Sequence, residues 1–135
     1  MEDSRLFNLK VVTPERIFFE DMVSMVELRT TEGEMGILKG HIPLTAVVAP
    51  GTMRIYKDEQ CQEAALLEGI IRIMPEDVVV LAQSCEWPDE IDLVRANEAK
   101  IRAERRLKGA EGDVNLSRAE LALRKALVRI EVAKK

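Results

Sequence analysis

"CEWPDEIDLVRANEAK", residues 85–100, is where one hydrophobic period gives way to another. Trp87 precedes Pro88, and a proline ring crowds the α conformation of the residue before it, so the backbone here is expected to be extended. Asp89 is then placed to cap a helix whose first turn carries Glu90 and Asp92, carboxylates that suit the positive end of a helix dipole. From Ile91 to Lys108 the chain is helix-forming throughout, with Ala96, Ala99, Ala103 and Leu107 at spacings of three and four on one face. "GAEGD", residues 109–113, breaks this helix. A second is predicted to start between Asn115 and Ser117, where Ser117 and Glu120 form an S-x-x-E capping box. Its apolar stripe is Ala119, Leu123, Ala126, Leu127, Ile130 and Ala133. Two helices joined by a short loop make a hairpin, and alanine-rich faces let the axes approach at the cost of little buried area.

Upstream of residue 88 the pattern is strand-like. "LFNLKVV", "IFFEDMVSMVEL", "PLTAVV", "MRIYK", "AALLEGIIRIM" and "DVVVLAQS" are aliphatic or β-branched runs, separated by Pro14, "EGEMG", "APG", "KDEQ" and "MPED". Many short strands at close spacing predict an antiparallel sandwich or barrel. The fold expected is therefore an N-terminal antiparallel β-sandwich over residues 1–88, followed by a C-terminal two-helix antiparallel hairpin over 89–135. "TEGEMGILKGHIPLTAVVAPG", residues 31–51, holds four glycines, two prolines and the single histidine. Gly33, Gly36, Gly40 and Gly51 are read as corners of the all-β half, where φ > 0 is needed.

Composition sets the outer bounds. The 135 residues suffice for one good core, or for a domain with a smaller appendage. The Met-Glu-Asp-Ser start has no basic n-region or apolar h-region, so no secretory signal is expected, and no run approaches the roughly 18 apolar residues of a spanning helix. Cys61 and Cys85 have no Cys or His neighbours in sequence, which points to two buried free thiols rather than a zinc site. Net charge is −4, divided unevenly: residues 1–88 carry 8 basic and 15 acidic side chains, and residues 89–135 carry 12 and 9.

Enzyme motifs are missing one by one. "GILKGHIP" lacks the Gly-Lys-Ser/Thr ending of a phosphate loop, and there is no G-x-G-x-x-G, no G-x-S-x-G and no second histidine. His41 is expected to be hydrogen-bonded within a turn rather than to join Glu32 and Glu34 around a metal, and no metal is required. In the helical half, Arg95, Arg102 and Arg106 share one helix face, and Arg118, Lys125 and Arg129 repeat the same steps on the next. Folding the hairpin brings Arg95 level with Arg129. Such a face is either solvated and held by neighbours such as Glu98 and Glu104, or it holds an anion, since guanidinium forks suit phosphate oxygens.

"VVTPERIFFEDMVSMVELRTTEGEMGILKGHIPLTAVVAPG", then "VVVLAQ", "IDLVRANEAKIRAERRL" and "RAELALRKALVRI", resemble, in order and over essentially the whole chain, the epsilon subunit of bacterial F-type ATP synthases. "GEMGILKGHIPL" is similar to the family's G-E-x-G-I-L-x-G-H-x-P-L signature, with Lys39 where proline is frequent. The resemblance implies a non-catalytic central-stalk subunit of a proton- or sodium-translocating enzyme, peripheral to the cytoplasmic face of the bacterial membrane. Its sandwich would bind the gamma subunit and the membrane rotor ring. Its C-terminal helices would fold against the sandwich or extend to the alpha and beta subunits of the catalytic head and impede ATP hydrolysis. No nucleic acid is expected among its partners. Some members bind ATP as a regulatory ligand through an I/L-D-x-x-R-A motif with basic residues of both helices. The matching positions are Ile91, Asp92, Arg95 and Ala96, with Glu86 before them, Arg102, and on the second helix Arg129 and Lys125, the last where arginine would match. Two other classes stay open: a free-standing enzyme, and a non-rotary adaptor built from a β-sandwich and a basic helical hairpin.

Overall fold

The computed structural model describes residues 5–109 and 116–134. Eight strands precede the helices: β1 (Phe7–Val12), β2 (Ile17–Val23), β3 (Met25–Thr30), β4 (Gly33–Ile37), β5 (Leu44–Val48), β6 (Gly51–Lys57), β7 (Gln60–Ile73) and β8 (Asp77–Glu86). A 3₁₀ turn, Pro88–Glu90, leads into α1 (Leu93–Lys108), and α2 (Leu116–Ala133) follows. The strands run β2-β1-β8-β7-β5 in one layer, while β4-β3-β6 in the other also joins β7. β7 serves both layers: Gln60–Leu66 pairs with β6, and Gly69–Ile73 pairs with β5. The ladders are antiparallel except for β1 with β8, which run parallel.

Period-two alternation decides what lies between the layers. Phe7, Leu9 and Val11 of β1, Val78 and Val80 of β8, and Ile71 and Ile73 of β7 are buried against Val26 and Leu28 of β3, Met53 and Ile55 of β6 and Ile37 of β4. In β7 the alternation slips at a bulge around Leu67 and Glu68. Leu66 therefore points into the main core, whereas Ala65 and Leu67 belong to a second cluster with Val132 of α2, flanked by Ile91 and Val128. Gly69 closes the bulge with its backbone against β8. A Cβ there would stand 2.1 Å from the Leu81 carbonyl oxygen.

α2 thus lies on β7 and β6 and α1 packs on α2, so the hairpin is folded against the sandwich. The helices meet through small side chains, with Ala96 and Ala103 of α1 and Ala119 and Ala126 of α2 all buried.

Several local expectations change. The cap of α1 is Asp92, whose carboxylate accepts the Arg95 backbone N–H at 3.1 Å; Asp89 sits in the 3₁₀ turn that Pro88 starts. Ser117 lies inside α2 rather than at its cap, and residues 110–115 of the predicted break lie outside the described residues. Because α2 has a second face toward the sheet, Val132 is buried while Leu127 is exposed. "IFFEDMVSMVEL" divides at Ser24, whose N–H donates to the Tyr56 carbonyl at 2.9 Å. "EGEMG" contributes β4, so Gly33, Gly36 and Gly51 lie in strands, and of the four expected corners Gly33 and Gly40 take positive φ. Cys85 is buried but Cys61 is exposed, since it follows the turn at the tip of the β6–β7 hairpin.

Candidate functional site

Where β8 leaves the sandwich, the 3₁₀ turn, the first turns of α1 and the last turns of α2 enclose a cleft of about 300 Å³. Its lining includes Glu86 at the end of β8, Glu90, Ile91 and Asp92 of the connection, Arg95, Ala96, Ala99 and Arg102 of α1, and Arg129 of α2. Arg95 and Arg102 reach it together because they are seven residues, nearly two helical turns, apart. Ala96 and Ala99 keep the floor between them low.

The carboxylates of this cleft are already engaged. Glu86 accepts Nε of Arg129 at 2.7 Å, and Nη2 of Arg129 lies 3.5 Å from Oγ of Ser84. Both oxygens of Glu90 lie 2.7 Å from Nη2 of Arg16, and one also accepts the Trp87 N–H at 3.0 Å. Those two interactions, the Arg16 bond first, hold the Glu90 carboxyl below its ordinary pKa range. Asp92 is committed to the α1 cap. Arg95 and Arg102 by contrast have no ion pair among the described residues. The arrangement leaves guanidinium charge on the cleft wall while its acids are occupied. Chemically this favours an anion with several oxygens.

Seven of the eight residues expected at the site are brought together here: Glu86, Ile91, Asp92, Arg95, Ala96, Arg102 and Arg129. Lys125 is not. It pairs with Glu68 at the β7 bulge, on the side of α2 that faces the sheet. Arg16, Ser84 and Glu68 carry no signal of this role in the sequence, and Glu90, expected only in the first helical turn, lines the cleft instead. Arg16 and Glu90 are 74 positions apart, and no periodicity links a loop arginine to a turn glutamate. His41 lies elsewhere and donates from Nδ1 to the Ile42 carbonyl at 2.8 Å. Among the described residues no group of His, Cys, Asp and Glu is arranged to hold a metal, and no helix is long and apolar enough to cross a membrane.

At the far end of β8 the connections gather apolar side chains. Gly40 N–H donates to the Pro75 carbonyl at 2.7 Å, tying the β4–β5 loop to the β7–β8 turn. Leu38, Ile42, Leu44 and Met74 are exposed there, Ile42 at 78%. Ten residues of β8 span about 33 Å. The apolar loops and the arginine cleft therefore occupy opposite ends of the sandwich. On its flank, Val47, Ile70 and Leu81 stand in register across β5, β7 and β8, all exposed.

Comparison with known proteins gives concordant matches. The family described as ATP synthase, Delta/Epsilon chain, beta-sandwich domain matches residues 6–88, and ATP synthase, Delta/Epsilon chain, long alpha-helix domain matches residues 89–134. The chain is 42% identical over 132 residues to the ATP synthase epsilon chain of Caldanaerobacter subterraneus subsp. tengcongensis, covering 97% of this chain and 96% of that one. It is 43% identical over 130 residues to the ATP synthase epsilon chain of Clostridium novyi, covering 96% and 98%. In fold it is similar to a chain of the Euglena gracilis mitochondrial ATP synthase OSCP/F1/c-ring assembly, with TM-score 0.83 and 20% identity over 100% of this chain and 85% of that one.

Proposed function

The chain belongs to the ATP synthase delta/epsilon chain family, as an epsilon chain of the F-type enzyme, and from that premise we propose that it is a non-catalytic regulator whose hairpin is held folded by ATP. The observation that carries the reading is the cleft at the hinge, where Arg95 and Arg102 face Arg129 while each wall carboxylate is already bonded. ATP phosphates bound there touch α1 and α2 at once and stabilise only the folded arrangement. Arg129 exchanges its Glu86 partner for phosphate, or shares it. Lys125 secures α2 to Glu68 instead of binding phosphate.

With the hairpin extended, the helices reach the alpha and beta subunits of the catalytic head and oppose ATP hydrolysis. The exposed row Val47, Ile70 and Leu81 offers an apolar flank to the gamma subunit. The Leu38–Leu44 loop and Met74 offer the opposite end to the membrane rotor ring, whose proton or sodium coupling lies in other subunits. In this reading the chain sits peripherally on the cytoplasmic face of the bacterial membrane.

Calorimetry with ATP and ADP on wild type and Arg95→Ala tests the site. Loss of one charge-assisted contact, about 1.5–3 kcal/mol, weakens ATP binding roughly tenfold or more. Equal affinity in the two proteins, or no binding by wild type at millimolar ATP, would remove the site.

A further inference from the structure

Between sandwich and hairpin, the chain is fastened at three points before it becomes a helix. The Trp87 ring stacks on Phe18 of β2 with centroids 4.3 Å apart and an interplanar angle of 22°, and Phe19 meets it edge-on at 6.3 Å. Three residues later, Glu90 takes the guanidinium of Arg16 through both carboxylate oxygens at 2.7 Å. That guanidinium also lies over the Phe18 ring, 5.2 Å from its centroid. Finally the turn closes on itself, because Trp87 N–H donates to the Glu90 carboxylate and Glu90 N–H donates to the Trp87 carbonyl, each at 3.0 Å. The next two residues are held differently. Ile91 is extended, with φ −85° and ψ 126°, and its N–H reaches the Pro88 carbonyl at a longer 3.3 Å; Asp92 is the extended cap of a new helix.

We propose that Arg16 is a positioning residue that clamps residues 87–90 to the sandwich, so that the hairpin pivots at Ile91 and Asp92. Turning the chain at residues 87–89 would unstack Trp87 and part Glu90 from both its donors. Turning it at Ile91 and Asp92 leaves all of these in place and, within the connection, gives up only the packing of Ile91 beside Val132. Hinges fall where a few element-terminal residues absorb the dihedral change without breaking packing. The consequence for the cleft is specific: Glu86 and Glu90 stay with the sandwich as a fixed wall, and Arg95, Arg102 and Arg129 leave together with the helices. The inference rests on the proposed hairpin movement, but its test reads hinge and hairpin separately.

The test is residue-resolved amide hydrogen exchange on the full chain without nucleotide, for wild type, Arg16→Gln and Glu90→Gln. The glutamine at 90 keeps an acceptor for the Trp87 N–H, and the amides of Leu66 and Val80 report the sandwich core. In wild type the Trp87 and Glu90 amides should exchange with β8, about tenfold or more slower than α1 amides such as Ala99. In both variants they should quicken about tenfold, with Leu66 and Val80 unchanged. Trp87 and Glu90 exchanging in step with fast α1 amides in wild type, or unaltered in the variants, would overturn the pivot alone. Uniformly slow α1 amides would remove the hairpin movement and the pivot with it.

Discussion

Cys85 shows how strongly position overrides residue type. Burial, with a smaller contribution from Glu86, pushes its thiol up to about 12, so it stays protonated and unreactive, whereas Cys61 is exposed. A thiol reagent on the native protein should therefore modify one cysteine, identified as Cys61 by peptide mapping, and the second only after denaturation. Acid acts through paired carboxylates. Glu90 is depressed by Arg16 and the Trp87 N–H, and Asp21 by Lys57 and the Met22 N–H. A depressed carboxyl stabilises the fold above its unfolded pKa, about 4, and that contribution is lost as pH falls through the lower folded value. Glu90 also shares its cleft with Glu86, Asp92, Arg95, Arg102 and Arg129, with the protonated thiol of Cys85 nearby. Denaturation midpoints measured from pH 7 to pH 2 should fall below about pH 4, and Glu90→Gln should flatten part of that slope. At Gly69 the constraint is steric. Alanine would press a methyl onto the Leu81 carbonyl and the Ala82 Cα, at 2.1 and 2.9 Å, so Gly69→Ala should cost about 1–3 kcal/mol in urea unfolding.

At the scale of elements, the two bodies differ in what holds them. The sandwich core is drawn from β1 to β8, with Trp87 packed against it. The hairpin rests on Ala65, Leu67, Ile91, Val128 and Val132, together with the pairs Lys125–Glu68 and Arg129–Glu86. A chain ending after Glu90 should accordingly unfold cooperatively, with a lower midpoint because Leu67 becomes exposed. Non-cooperative melting of that fragment would show that the sandwich needs α2. Leu67→Ala in the intact chain removes the largest side chain under α2, whereas Leu66→Ala empties the main core. Both substitutions should cost about 2–5 kcal/mol in global unfolding. Only Leu67→Ala should also speed amide exchange selectively along α2.

For the whole molecule, the proposed function makes the balance between folded and extended hairpin the decisive quantity. A ligand that binds one state shifts that balance only by its differential affinity, about 2.7 kcal/mol at 100 times its dissociation constant. The folded hairpin is held by a few aliphatic contacts and two partly exposed ion pairs, which individually contribute about 1 kcal/mol or less. ATP bound as proposed would therefore be strong enough to set the population. Removing residues 91–135 from the assembled enzyme should raise ATP hydrolysis, whereas neutralising Lys125 and Arg129 together, which releases the folded hairpin, should lower it, most clearly at low salt. Unchanged rates for both variants across a salt series would mean that the hairpin is no brake.

Local pattern alone determined the two bodies of this chain. Period-two runs end and a three-and-four spacing begins at Trp87 and Pro88, and both signals depend only on near neighbours. The family resemblance, carried by contiguous motifs, was likewise legible and marked seven residues that line one cleft. What the tertiary structure decided is pairing across long separations. It directed Lys125 to Glu68 instead of the cleft, because a bulge in β7 turns Glu68 toward α2. It moved the helix cap from Asp89 to Asp92, because Pro88 starts a 3₁₀ turn that Glu90 and Arg16 lock in place. Cleft charge was decided there too: Arg16 and Arg129 occupy Glu90 and Glu86, and only their positions in space leave Arg95 and Arg102 without an ion pair among the described residues.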